Sequence, residues 1–130
     1  MNTKRKIILA VSLVLLVGLT PALFAQYDKD TVVKTMRGNL AAMQALGTAV
    51  NAKDFYIAAL KLMDLAQGAK AMLAVNPPKG DKAEWDRVWN DLIRAAFRGI
   101  GACGTQNLDA LKTEVGAVGA LSKEGHTKFR

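Results

Sequence analysis

Beyond residue 26 the apolar residues recur every three or four positions, and no stretch alternates apolar and polar residues for long. That period is helical. Four segments carry it. The first helix is predicted from about Asp30 to Val50, with Val33, Met36, Leu40, Met43 and Val50 on one stripe. The second runs from about Lys53 to Val75, with Phe55, Ala59, Leu62, Ala66, Ala69 and Leu73 facing inward. Pro77 and Pro78 end it, and Gly80 sits in the turn that follows. The third opens after Asp81, a good N-cap, and closes at Gly104. Its stripe is Trp85, Trp89, Leu92, Ala96, Ile100 and Cys103. The fourth opens after Asn107. Its positions Leu108, Leu111, Val115, Val118, Ser122, Gly125 and Phe129 step by three and four without a slip, which is the seam of a helix packed in a bundle.

The links between these helices are short, and short links force sequential helices to lie antiparallel. The expected fold is all-α: an antiparallel up-down-up-down four-helix bundle over residues 26–130. Helices this regular bury enough aliphatic surface to fold without staples.

Residues 1–25 read differently. Lys4, Arg5 and Lys6 precede an apolar run from Ile7 to Leu19, Pro21 breaks the run, and Ala25 offers a small residue before Gln26. That is the plan of a cleavable signal peptide. A spanning helix needs roughly 20 apolar residues, and this run is shorter. Removing it takes the formal charge from +7 to +4. The mature chain is then expected to be exported, in the periplasm, with no membrane association. No Lys/Arg block follows the leader, so nucleic acid is not an expected partner. Cys103 is the single cysteine, so no intramolecular disulfide exists and the core alone must hold the fold. A free cysteine on an apolar stripe reads as a small buried side chain.

The chemistry concentrates at the end of the fourth helix, Ser122-Lys123-Glu124-Gly125-His126-Thr127-Lys128-Phe129-Arg130. It holds the only histidine in the chain. The small residues Ser122 and Gly125 flank that histidine on the buried side. This ending resembles the haem-attachment ending C-x-x-C-H-x-x-[FY]-[RK] of the cytochrome c′ family, with Ser122 and Gly125 at the two cysteine positions. His126, Phe129 and Arg130 stand where that family has its axial histidine and its aromatic-basic ending. It is also similar to the H-x-K-Y-R ending of cytochrome b562, a bundle that holds haem without thioether bonds.

The resemblance implies a haem ligated through His126. In cytochrome b562 the partner ligand is a methionine early in the first helix, and Met36 matches that place. The depths agree. His126 is roughly 6 Å from its helix end and Met36 roughly 9 Å from its helix start, at about 1.5 Å per residue, whereas Met43 is about 10 Å deeper. A second register, aligning Asn39-Leu40, puts Val33 at the ligand position. The cytochrome c′ family usually leaves the sixth position empty, and Met36 then serves as a pocket wall. With no cysteine at 122 or 125, haem is expected to be b-type and non-covalent. Arg130 is placed to pair with a haem propionate. The family commonly forms homodimers through its first two helices, and electron transfer implies a redox partner protein.

Gly99, Gly101, Gly116, Gly119 and Gly125 lie within the last two helices, where each costs about 1 kcal/mol against alanine. They either clear a slot for a flat macrocycle or allow close helix approach. Trp85 and Trp89, one turn apart, read as bundle core or as a stacking surface for a ligand.

No enzyme is expected. A triad or Cys–His pair lacks an identifiable orienting residue. A zinc site wants several His or Cys ligands, and the chain holds one of each. Two functions therefore stand: an exported haem-binding protein for electron transfer or small-gas binding, or a haem-free bundle of the same descent acting in structure or interaction.

Overall fold

A computed structural model describes residues 27–130. The signal-peptide expectation for residues 1–25 lies outside them. Four helices follow one another: α1, Lys29–Asn51; α2, Phe55–Leu73; α3, Lys82–Gly104; α4, Leu108–Phe129. There is no strand among the described residues. The architecture is a four-helix bundle.

Each helix starts on an acidic or amide cap. Asp28 accepts from the Thr31 amide at 3.1 Å, Asp54 from Ile57 at 3.0 Å, Asp81 from Glu84 at 3.3 Å and Asn107 from Ala110 at 3.0 Å. Each bond satisfies one of the amides that a helix start leaves without a partner.

The two short links share one construction. Lys53 and Gln106 have φ of +56° and +53°. After α1, the Asp54 amide donates to Ala49 at 2.9 Å and the Lys53 amide to Val50 at 3.1 Å. After α3, the Asn107 amide donates to Ala102 at 2.9 Å and the Gln106 amide to Cys103 at 3.0 Å. These are paired Schellman closures, and the next residue is already the cap of the following helix. The expected start of the second helix at Lys53 is corrected by this turn, since Lys53 leaves the right-handed region. The same helix ends at Leu73, two residues before the expected Val75.

Packing runs α1 on α2, α2 on α3 and α3 on α4, while α1 barely touches α4. The fully buried large side chains are Leu46, Leu62, Leu65, Met72, Leu111 and Val118. On α2 the buried arc is centred on Ala58, Leu62, Leu65, Ala69 and Met72, because that helix is enclosed between α1 and α3. Phe55, Ala59 and Leu73 are only half-buried. On α1 the correction is larger. The core positions are Val32, Ala42, Leu46, Ala49 and Val50. Val33 is 37% exposed and Leu40 is 61% exposed. Of the expected stripe Val50 is core, while Val33, Met36, Leu40 and Met43 border the seam that α4 leaves open, Met36 and Met43 half-buried against the core.

Candidate functional site

The open seam is a crevice of about 550 Å³. That falls within the usual 300–1,000 Å³ of small-molecule sites. Its α1 wall runs from Val32 to Met43 and its α4 wall from Val118 to Phe129, about 16 Å each at the helical rise. Trp85, Val88, Trp89 and Leu92 of α3 and Leu65 of α2 form the floor. The lining is mainly apolar, with Arg37, Asn39, Ser122, His126 and Arg130 as its polar members. Tyr27, Val33 and Leu40, three of the exposed large apolar residues, cluster on this one feature. An exposed apolar cluster beside a concave site marks a binding surface.

Met36, Ser122, Gly125, His126, Phe129 and Arg130 all line this crevice. The structure therefore brings the six candidate residues to one place. Their roles in it differ. Met36 is half-buried on the α1 wall, as are Ser122 and Gly125 on the α4 wall. His126 is exposed and stands at the lip, as do Arg37 and Arg130. Phe129 is buried and closes one end. Val33, the ligand position of the alternative register, lines the α1 wall as well.

Trp85 organises that closed end. Its ring meets Phe129 edge-on at 5.1 Å and 81°, and Trp89 at 5.4 Å and 74°. Its Nε1 donates to the Met72 carbonyl at 2.8 Å. Gly80, in the α2–α3 link, has φ of +87°, and a Cβ there would lie 3.1 Å from the Phe129 ring. The link thus needs glycine both for its turn and for its approach to Phe129. Trp89 Nε1 is buried and has no hydrogen-bond partner. A buried donor left without a partner costs about 1–3 kcal/mol. This free donor belongs to a residue of the crevice floor.

The turn bearing His126 is held from the α3 side. Arg87 pairs with Glu84, Asp91 and Glu124. Lys128 pairs with Glu84 at 2.6 Å and with Glu124 at 2.9 Å. Lys128 and then Arg87 hold the Glu84 and Glu124 carboxyls below the usual carboxylate range. The same contacts raise Arg87 and Lys128. Farther along the same seam Arg98 pairs with Glu114 at 3.0 Å. The Cys103 thiol is buried away from the crevice, and burial pushes its pKa up.

The glycines do not share a purpose. Gly125 lines the crevice, where a Cβ would make ordinary contact with Val88 at 3.6 Å. A Cβ on Gly99 would lie 2.8 Å from Leu62, so there the glycine allows close helix approach. Gly101, Gly116 and Gly119 have nothing within 4 Å of that position. None of these three lines the crevice, so a slot cleared by them is not supported.

Sequence reasoning missed the crevice floor and the lip residues Arg37 and Tyr27. Only the tryptophans gave any signal, as a stacking surface. Among the described residues no three His, Cys, Asp or Glu side chains gather to hold a bare metal ion, and no helix is long and apolar enough to cross a membrane. In comparison with known proteins, no family description, no curated protein and no solved structure matches the chain.

Proposed function

We propose that the crevice binds haem non-covalently, with His126 as the side chain that would hold the iron and Met36 as either a second donor or a wall of the pocket. The reading rests on one observation: the chain's only histidine borders an apolar crevice of about 550 Å³ whose other wall carries Met36. Haem would ask the protein for only one or two donor side chains, because the macrocycle holds the iron itself. Imidazole and thioether are both established haem ligands. The residues present therefore fit the group. When bound, haem supplies one-electron chemistry or a coordination position for a small gas.

The protein's own part is binding and exclusion of water. The aliphatic walls and the two indoles provide an apolar surface for the macrocycle. Arg37 and Arg130 at the lip suit acidic substituents that remain at the mouth. Ser122 and Gly125 offer no thiol, so retention depends on burial and ligation alone. The proposed setting is a periplasmic protein in antiparallel up-down-up-down order, with a redox partner protein and a homodimeric state, and without enzyme activity.

The exposure of His126 favours a second reading, in which the same crevice serves a haem-free bundle as a seat for an apolar group of another molecule. Haem titration of the purified residues 26–130 separates the two. A Soret shift that saturates at one equivalent and disappears in His126→Ala supports haem. A shift that survives the substitution, or no shift, leaves the second reading. Met36→Ala then distinguishes ligand from wall by whether the Soret position changes.

A further inference from the structure

We infer that Arg87 is a positioning residue for His126: it ties the last turn of α4 to α3 and so fixes the imidazole at the lip of the open crevice. This rests on the proposed function for its purpose, though not for its geometry. Glu124 and Lys128 lie two residues before and two residues after His126. Both point to α3, Glu124 to Arg87 and Lys128 to Glu84. The histidine is therefore bracketed by two side chains anchored on one neighbour. Nothing comparable ties this turn to α1, which barely meets α4.

Arg87 is the centre of the cluster because it alone meets three carboxylates, on Glu84, Asp91 and Glu124. A planar guanidinium presents five donors in a rigid fork, so it meets several carboxylates in a fixed geometry, whereas a lysine ammonium is a point charge on a flexible stem. Single exposed ion pairs contribute little, but a network with several shared partners contributes more. The Trp85–Phe129 contact holds the same turn from the apolar side. Phe129 fixes the depth of the turn, and Arg87 fixes its rotation about the α4 axis. Rotation matters for His126, because a helical turn that rolls by one residue carries the ring about 100° around the axis.

The pair Arg98–Glu114 provides a matched control. It also bridges α3 and α4, but Glu114 lies three turns before His126. Arg87→Leu and Arg98→Leu are compared in the mature protein without haem, by amide hydrogen exchange and by the ring resonances of the single histidine. Haem affinity follows by Soret titration. Arg87→Leu is expected to speed exchange at residues 123–129 and weaken haem binding, each by about five- to tenfold. It also shifts the His126 resonances. Arg98→Leu does none of these. The proposal is overturned if Arg87→Leu leaves residues 123–129 protected as in the parent, if Arg98→Leu matches it, or if haem affinity is unmoved while exchange accelerates. Should Arg87→Leu not fold, Glu124→Gln removes the same bridge from the other side and is judged by the same outcomes. If the parent protein binds no haem, the haem reading fails, while the exchange and resonance data still decide whether Arg87 positions the ring.

Discussion

The Phe129 ring meets the edge of Trp85 at 5.1 Å, so the last residue of α4 is locked to the first turn of α3. Both rings are almost fully buried. Phe129→Ala is expected to destabilise the bundle by about 3–5 kcal/mol, the usual range for removing a buried aromatic. Urea unfolding followed by circular dichroism measures it. A loss below about 1 kcal/mol would mean that the last turn is not part of the cooperative core.

The α1 stripe gives a contrast between two leucines. Leu46 is fully buried and Leu40 is 61% exposed at the crevice. Leu46→Ala is expected to cost about 2–5 kcal/mol. Leu40→Ala is expected to change stability by no more than about 0.5 kcal/mol while weakening any ligand of the crevice. Equal losses in the two variants would show that the seam is closed in solution.

Two glycines of α3 are expected to respond in opposite senses. Alanine at Gly101 meets nothing and gains helix propensity, raising stability by roughly 0.5–1 kcal/mol. Alanine at Gly99 places a methyl 2.8 Å from the fully buried Leu62 side chain, which must shift within the packed core, so stability falls. Thermal melts of the two variants decide it, and a gain at both positions contradicts the close approach of α2 to α3.

Acid should loosen the α3–α4 seam. Glu84 is held low chiefly by Lys128, and Asp91 chiefly by Arg94, with Arg87 contributing to both. A carboxyl lowered by folding contributes stability that is complete above its unfolded pKa and is lost as pH falls through the folded value. Stability is therefore expected to be level from neutral pH down to about 5 and to fall below about 4. Urea midpoints measured against pH should fall more steeply in the parent than in Arg87→Leu. Parallel curves would remove the network from the account.

Cys103 is buried and its thiol pKa is raised by that burial. Only the thiolate reacts readily with alkylating reagents. Labelling by iodoacetamide at neutral pH is expected to be slow in the folded protein and fast in urea. Prompt labelling without denaturant would place the sulfur at the surface.

What the sequence disclosed follows from what periodicity measures. It separated helix from strand and located all four helices, because each carries an apolar period bounded by Asp, Asn, Pro or Gly. It could not tell a stripe that faces the core from one that faces a crevice, since Val33, Met36 and Leu40 are as apolar as Leu46. The difference depends on how far α1 stands from α4, which is a property of the assembled bundle. The turns at Lys53 and Gln106 were hidden because neither is the glycine that usually marks a left-handed closure. That His126 and Met36 border one crevice was legible from their expected depths along α4 and α1. Arg87 was not, because its importance depends on which turn of α4 comes to rest beside it.

A bundle of four rods normally has four lines of contact, and here the line between the first rod and the last is left unsewn. α1 therefore hangs from α2 along one edge, like a door on its hinge. Any molecule that fills the gap also fastens that door, so its affinity adds directly to the free energy of unfolding. Melting temperature should thus report occupancy without any knowledge of the occupant, and the chain's thermal behaviour becomes an assay for its own ligand.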